Sequence, residues 1–153
     1  MRIKLLFIIL FFISSPVKGQ DNNQLNSIIT ACLQSYINCK IDNGRVNNKY
    51  ICRDGLPLDF SFDCLSNVSY ISVNNYKYNS INLNKKLRKG LDVLFITFRL
   101  ISNQLIITIT ERTVILVKKK TLDVAISDWG YYYYEYSCNT KCWELVETQY
   151  GGI

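Results

Sequence analysis

Two stretches in the second half of the chain, Asp92–Ile101 and Leu105–Val117, are dominated by Val, Ile, Leu, Phe and Thr. β-Branched and aromatic side chains suit a pleated surface, so both runs read as strands. Ser102-Asn103-Gln104 between them reads as a hairpin loop. Along the second run Ile106, Thr108, Thr110 and Arg112 fall on one face, and Leu105, Ile107 and Ile109 on the other. That alternation belongs to an antiparallel sheet with one wetter face, and its apolar face needs a cover.

The spacing predicts that cover over residues 22–38. Leu25, Ile28, Ile29, Cys32, Tyr36 and Ile37 form one stripe at helical spacing, opposite Asn, Gln and Ser. Asn22 or Asn23 can cap the helix. Short strands are expected at Tyr50–Cys52 and Val68–Val73, and a turn at Asp54-Gly55-Leu56-Pro57. A second helix is expected over 81–89, with Leu83 and Leu87 on one face and Gly90 at its C-terminal cap. Its end carries Lys85, Lys86, Arg88 and Lys89, cations that complement the helix dipole. Lys118-Lys119-Lys120 reads as a turn that guards a strand edge. Leu122, Val124 and Ile126 alternate again, Asp128-Trp129-Gly130 reads as a turn, and Tyr131–Cys138 with Cys142–Tyr150 as a last hairpin. The expected class is α+β: an N-terminal amphipathic helix packed on a curved antiparallel meander. The cystatin-like and NTF2-like folds share this order of elements, a likeness that says nothing of function.

The first nineteen residues read as an address. Met1, Arg2 and Lys4 precede an unbroken apolar run, Leu5–Ile13, which Ser14, Ser15 and Pro16 end before Val17-Lys18-Gly19. This is the layout of a secretory signal peptide. Nine apolar residues span only about 14 Å as a helix, against roughly 30 Å of bilayer core. Cleavage before Gln20 removes 19 of 153 residues and leaves 134, one domain's worth. Three of the 18 basic residues go with the leader, so 15 remain against 12 acidic ones, a charge of +3 instead of +6. So small a charge gives no reason to expect nucleic acid. No later segment is long and apolar enough for a transmembrane span.

Six cysteines follow the leader: Cys32, Cys39, Cys52, Cys64, Cys138 and Cys142. An even count in an exported chain reads as disulfides. Cys32 and Cys39, seven apart on a helix, lie about 10 Å apart and cannot bridge each other. Cys138 and Cys142 flank Asn139-Thr140-Lys141 and can face each other across that loop; a rival arrangement ties Cys52 to Cys138. With no His and no C-x-x-C pair, a metal site is not expected.

The absence of His also removes the Ser-His-Asp and Cys-His machineries. There is no G-x-S-x-G, P-loop or G-x-G-x-x-G, so no cofactor is expected. The carboxylates are scattered; Asp54, Asp92, Glu111, Asp128, Glu135, Glu144 and Glu147 show no spacing that marks a catalytic pair. What stands out is aromatic. Tyr131, Tyr132, Tyr133, Tyr134 and Tyr136 occupy five of six positions, between Trp129 and Trp143. On a strand, Tyr131 and Tyr133 point one way and Tyr132, Tyr134 and Tyr136 the other. One set fills a core; the other offers stiff contact area for a protein or glycan partner. The expected function is a non-catalytic binding protein held by disulfides. Its rival is a His-free hydrolase or ligand-binding domain with an acidic pocket under the helix, and a purely structural role is a third reading. Asn67-Val68-Ser69 is the sole glycosylation sequon.

Three segments taken together carry a resemblance: Tyr50-Ile51-Cys52-Arg53-Asp54-Gly55-Leu56-Pro57; Ile126-Ser127-Asp128-Trp129-Gly130; and Tyr134-Glu135-Tyr136-Ser137-Cys138 with Trp143-Glu144-Leu145 and Tyr150-Gly151-Gly152. The chain resembles a set of small exported proteins of Bacteroidetes bacteria, whose signal junctions the Gly19/Gln20 site also fits. The resemblance implies a periplasmic or secreted protein and no use for the sequon. It transfers no functional residue, because the set has no assigned activity. Cys142 and the Cys32/Cys39 pair depart from it.

Overall fold

The computed structural model describes residues 22–42, 49–56, 68–75, 79–117 and 121–152. The leader, Cys64, Asn67 and Lys118 to Lys120 lie outside the described residues. The elements run α1 (Asn22–Asp42), β1 (Lys49–Cys52), β2 (Val68–Ile71), α2 (Ile81–Leu87), β3 (Leu91–Ile101), β4 (Gln104–Val117), β5 (Thr121–Ser137) and β6 (Cys142–Gly152). The fold is mixed α/β, with two helices and one six-stranded, mostly antiparallel sheet in the order β2-β1-β3-β4-β5-β6. Strands β3 to β6 form the expected meander. The short strands depart from it: β1 pairs in parallel with both β2 and β3.

Each helix contributes to a separate cluster. Ile28, Ile29, Cys32, Leu33 and Tyr36 of α1 are buried with Ile51, Leu94, Ile96, Leu105, Ile107, Ile109, Tyr132 and Tyr134. Leu33 joins the stripe read from the sequence. In the second cluster Leu83 and Leu87 of α2 meet Tyr50, Val93, Val114 and Leu116. The start of β3 is therefore covered on both faces: Val93 belongs to the α2 cluster and Leu94 to the α1 cluster. Strand positions alternate between faces, so adjacent residues of β3 enter the two cores. Ser80 caps α2, its hydroxyl accepting from the Leu83 N–H at 3.2 Å. Gly90, at φ +91, lies just past the end of α2, which is two residues shorter than expected.

Two turns read from the sequence take other forms. The β3–β4 loop is only Ser102-Asn103, since Ile101 pairs with Gln104, and Ser102 takes φ +55 to close it. Asp128-Trp129-Gly130 is not a turn; it lies inside β5, which runs unbroken from Thr121 to Ser137. Glu111 pairs with Asp128 but Arg112 with Ile126, which leaves Ser127 as one extra residue, a β-bulge. Its hydroxyl donates to the Glu111 carbonyl at 3.2 Å. The Asp-Trp-Gly signal therefore marked a local irregularity that pairing with β4 absorbed.

The turn after β1 forms as expected, with Gly55 at φ +90. Asp54 ties it to the segment after β2, accepting from Ser72 Oγ at 2.7 Å, Val73 N at 2.7 Å and Asn74 N at 2.6 Å. Partial burial alone raises the Asp54 pKa, but these hydrogen bonds outweigh it and hold the carboxyl below its usual range.

Gly130 explains how α1 sits so close to β5. A Cβ there would lie 3.0 Å from Tyr36 Cδ2 and 3.2 Å from Tyr150 Cδ1. Only a residue without a side chain lets both rings approach the strand. Gly130→Ala should destabilise the fold by about 1–3 kcal/mol through overpacking. Urea unfolding, with an unchanged m-value, is the measurement; wild-type stability in this variant would contradict the packing described.

Candidate functional site

The register of β5 sorts the aromatic run. Tyr132 and Tyr134 are buried in the α1 cluster, opposite Ile107 and Leu105 of β4. Tyr131 and Tyr133 are half-buried and share the other face with Trp129. The ring centroids of Trp129 and Tyr131 lie 4.9 Å apart, and those of Tyr131 and Tyr133 6.3 Å apart, tilted at 52° and 35°. These three side chains form a row up the open part of the sheet, beyond the end where α2 packs. Trp129 is seated by β6, because a Cβ on Gly151 would overlap its indole. Tyr136 and Trp143 are paired across the β5–β6 ladder, edge to face at 5.5 Å. They lie on the α1 side of the sheet, with Trp143 packed against its cluster. The seven aromatic candidates thus form one row of three, two core residues and one pair on the opposite face.

The sheet pairing sets the neighbours of the row. Phe95, Thr110, Trp129 and Gly151 make one rung across β3, β4, β5 and β6. Thr97, Thr108, Tyr131 and Gln149 make the next, and Arg99, Ile106, Tyr133 and Glu147 the third. At the α2 end Arg112 lies over the Phe95 ring, 4.7 Å from its centroid, and its Nε donates to Thr110 Oγ1 at 3.0 Å. Hydrogen-bonding side chains therefore flank Tyr131 on both sides, whereas Trp129 lies between Thr110 and Gly151 and Tyr133 between Ile106 and Glu147.

On the α1 side, the tyrosines bond to the helix. Cys32 Sγ and Tyr134 Oη share a hydrogen bond of 3.3 Å. Ser35 Oγ meets Tyr150 Oη at 2.9 Å, and Tyr150 Oη meets Tyr132 Oη at 3.2 Å. Burial pushes the Cys32 thiol up to about 11, against the weaker opposing effect of Tyr134. Burial likewise pushes Cys52 to about 11 and raises the phenols of Tyr132 and Tyr134.

The structure also places Glu111 and Asp128 opposite each other across the bulge, 8 % and 5 % exposed. Sequence spacing did not show this pair, since only the β4–β5 register joins residues 17 apart. Both carboxylates are engaged by neighbouring groups. Among the described residues no group of three or more His, Cys, Asp or Glu is arranged to hold a metal ion.

The cysteines are distributed along the whole fold. Cys32 and Cys52 are buried thiols, and Cys138 and Cys142 are exposed ones. The last loop holds four residues, Cys138 to Lys141, with Lys141 at φ +56, and Cys142 pairs with Ser137 across it. Cys138 is therefore the first loop residue and not the strand partner of Cys142. Cys52 and Cys138 cannot bridge. β1 and β5 are separated by β3 and β4, three strand spacings of about 4.8 Å, whereas a disulfide needs Cα atoms within about 7 Å.

No family model, curated protein or solved structure matches this chain. No helix among the described residues is long and apolar enough to cross a membrane.

The raised acid groups fix a pH dependence. A thiol or phenol held protonated in the fold ionises first in the unfolded chain. Stability should therefore be full below the ordinary thiol value near 9 and fall as pH rises toward 11. In folded protein whose thiols have been kept reduced, iodoacetamide at pH 8 should label Cys138 and Cys142 at least about tenfold faster than Cys32 and Cys52. Equal labelling, read by peptide mass spectrometry, would contradict the assigned burial.

Proposed function

We propose that this chain is an exported binding protein whose contact surface is the sheet face bearing Trp129, Tyr131 and Tyr133. One observation carries the reading: the tyrosine run commits Tyr132 and Tyr134 to the core, yet keeps three further rings in a row on the opposite face. Core filling accounts for the first pair and not for the row. Stiff aromatic side chains gain contact area at small entropic cost, which is why they concentrate binding energy. The likeness to exported Bacteroidetes proteins and to cystatin-like or NTF2-like folds, with α1 as the helix on a curved sheet, belongs to the same proposal.

Export rests on the basic and apolar leader of residues 1–19. It would place the thiols in an oxidising compartment. There the exposed Cys138 and Cys142 are the pair an oxidant reaches, while Cys32 and Cys52 are shielded by burial. We assign the expected disulfide to that terminal loop.

The acidic-pocket reading keeps one support, the Glu111–Asp128 pair. Substitution separates the two. Tyr131→Ala with Tyr133→Ala should leave the melting temperature within a few degrees and abolish partner capture. Tyr136→Ala, on the other face, should retain it. Each lost contact residue should cost about 2 kcal/mol, roughly 30-fold in Kd. Asp128→Asn that alone removes a measured activity or ligand would favour the acidic pair. Sequencing the exported product should give Gln20 first, and non-reducing peptide maps should join Cys138 to Cys142.

A further inference from the structure

We infer that the partner of the face around Trp129, Tyr131 and Tyr133 is a second copy of this chain; this rests on the binding reading above and names its partner. Charge on the face is divided between its two ends. At one end α2 packs on Tyr50, Val93, Val114 and Leu116. It brings Lys85, Lys86, Arg88 and Lys89, with no acidic residue from Ile81 to Gly90. Arg112 of β4 lies two positions from Val114, on the same face. At the other end, beside the β5–β6 loop, Glu135 and Glu144 are directly opposite each other and Glu147 is opposite Tyr133. Arg99 shares the rung of Glu147 but lies three strands away on β3, and Lys141 is in the loop itself. Asp54, beyond β1, is taken up by Ser72, Val73 and Asn74. The three glutamates accept only from neutral groups: Gln104 at 3.4 Å, Thr140 at 2.7 Å and Gln149 at 2.7 Å. Like charges opposite each other on paired strands destabilise a sheet. Among the described residues Lys85, Arg88 and Lys89 have no ion-pair partner either. The face thus has a basic end and an acidic end, neither of them paired by the rest of the described chain.

The row of rings joins the two ends. Trp129 is in the rung of Phe95, over which Arg112 lies, and Tyr133 is in the rung of Glu147. A surface with unlike ends and an apolar middle becomes its own complement when turned end for end. Two-fold dimers use that rotation: one patch meets a second, and the second meets the first. An axis lying across the strands at Tyr131 lays one row on the other in reverse. Tyr131 then meets its own copy and Trp129 meets the partner's Tyr133. Each group of glutamates faces the α2 cations of the other copy, which gives two opposite-charge contacts per dimer. The rings supply an apolar centre and the charged groups a rim, the usual anatomy of a protein interface. α2, about 10 Å across, stands off the sheet as far as a second packed sheet would. It therefore closes one end of the open face, and the partner's hairpin end abuts it. A polyanion fits worse, because along the row it would leave the α2 cations and run onto three carboxylates. A neutral ligand would leave both charged ends unpaired.

The test is sedimentation velocity of the full exported chain over a concentration series, with reductant present so that no intermolecular disulfide is counted. A reversible dimer is expected, its Kd rising about tenfold or more between about 50 and about 500 mM salt as the charge contacts are screened. Tyr131→Ala should weaken it about tenfold or more, and Tyr136→Ala, on the opposite face, should leave it unchanged. Two charge-reversed proteins report the orientation: one carries Glu144→Lys with Glu147→Lys, the other Lys85→Glu with Lys89→Glu. All four positions are exposed, so both proteins should keep the wild-type melting temperature within a few degrees. Each alone should be monomeric. Their equimolar mixture should dimerise within about threefold of the wild-type Kd, because both contacts of the mixed pair again join opposite charges. A chain that is monomeric at every concentration, a dimer indifferent to Tyr131→Ala or to charge reversal, or reversed proteins that do not associate on mixing overturns the inference. If Tyr131→Ala with Tyr133→Ala then still loses capture of a different protein, the partner is wrong and the binding face stands. If that capture is unaffected too, the binding face falls as well.

Discussion

A single extra residue in β5 decides which tyrosines are core and which are surface. Side chains of a strand alternate with a period of two, so a shift of one position exchanges the two faces. Ser127 is that residue: before it Ile126 faces Arg112, after it Asp128 faces Glu111. Without the bulge, the positions from Asp128 onward would invert relative to β4. Tyr132 and Tyr134 would leave the helix and Trp129, Tyr131 and Tyr133 would be driven against it. The α1 surface could not accept that exchange, because Gly130 must lie beneath Tyr36 and Tyr150. The bulge and the glycine, three residues apart, enforce one register.

The same strand joins the core to the proposed site. On one side its phenols are bound into the helix contact, Tyr134 through Cys32 and Tyr132 through Tyr150 of β6, which meets Ser35. The buried Cys32–Tyr134 bond favours one arrangement, since a slipped helix would strand both groups without partners. On the other side the rings of Tyr131 and Tyr133 inherit that rigidity. Their positions follow from a backbone held in place by α1, although α1 never touches their face.

Much of this was legible in the residues. The alternation of Leu105, Ile107 and Ile109 against Ile106, Thr108 and Thr110 set the faces of β4, and the two-way division of the tyrosines followed from period two alone. The helical stripe of 22–38 lacked only Leu33 among its buried members. What failed was long-range. Asp128-Trp129-Gly130 has turn composition, and only pairing with β4 shows it to be a bulged strand. The parallel placement of β1 between β2 and β3 has no local signature. Nor has the Glu111–Asp128 pair, which exists only through register. The Cys52–Cys138 alternative failed because cysteine spacing along a chain carries no information about strand order.

The seat of Trp129 has a consequence of its own. It is provided by Gly151 on β6, which among the described residues has a neighbouring strand on one side only. Edge strands open more readily than central ones, with a free energy below that of global unfolding. Each time β6 frays, the indole loses the surface it lies on and the first ring of the row is released. The aromatic row is therefore thermodynamically linked to the margin of the sheet: whatever clamps the indole also zips the outer ladder, and slower amide exchange in β6 would mark an occupied face.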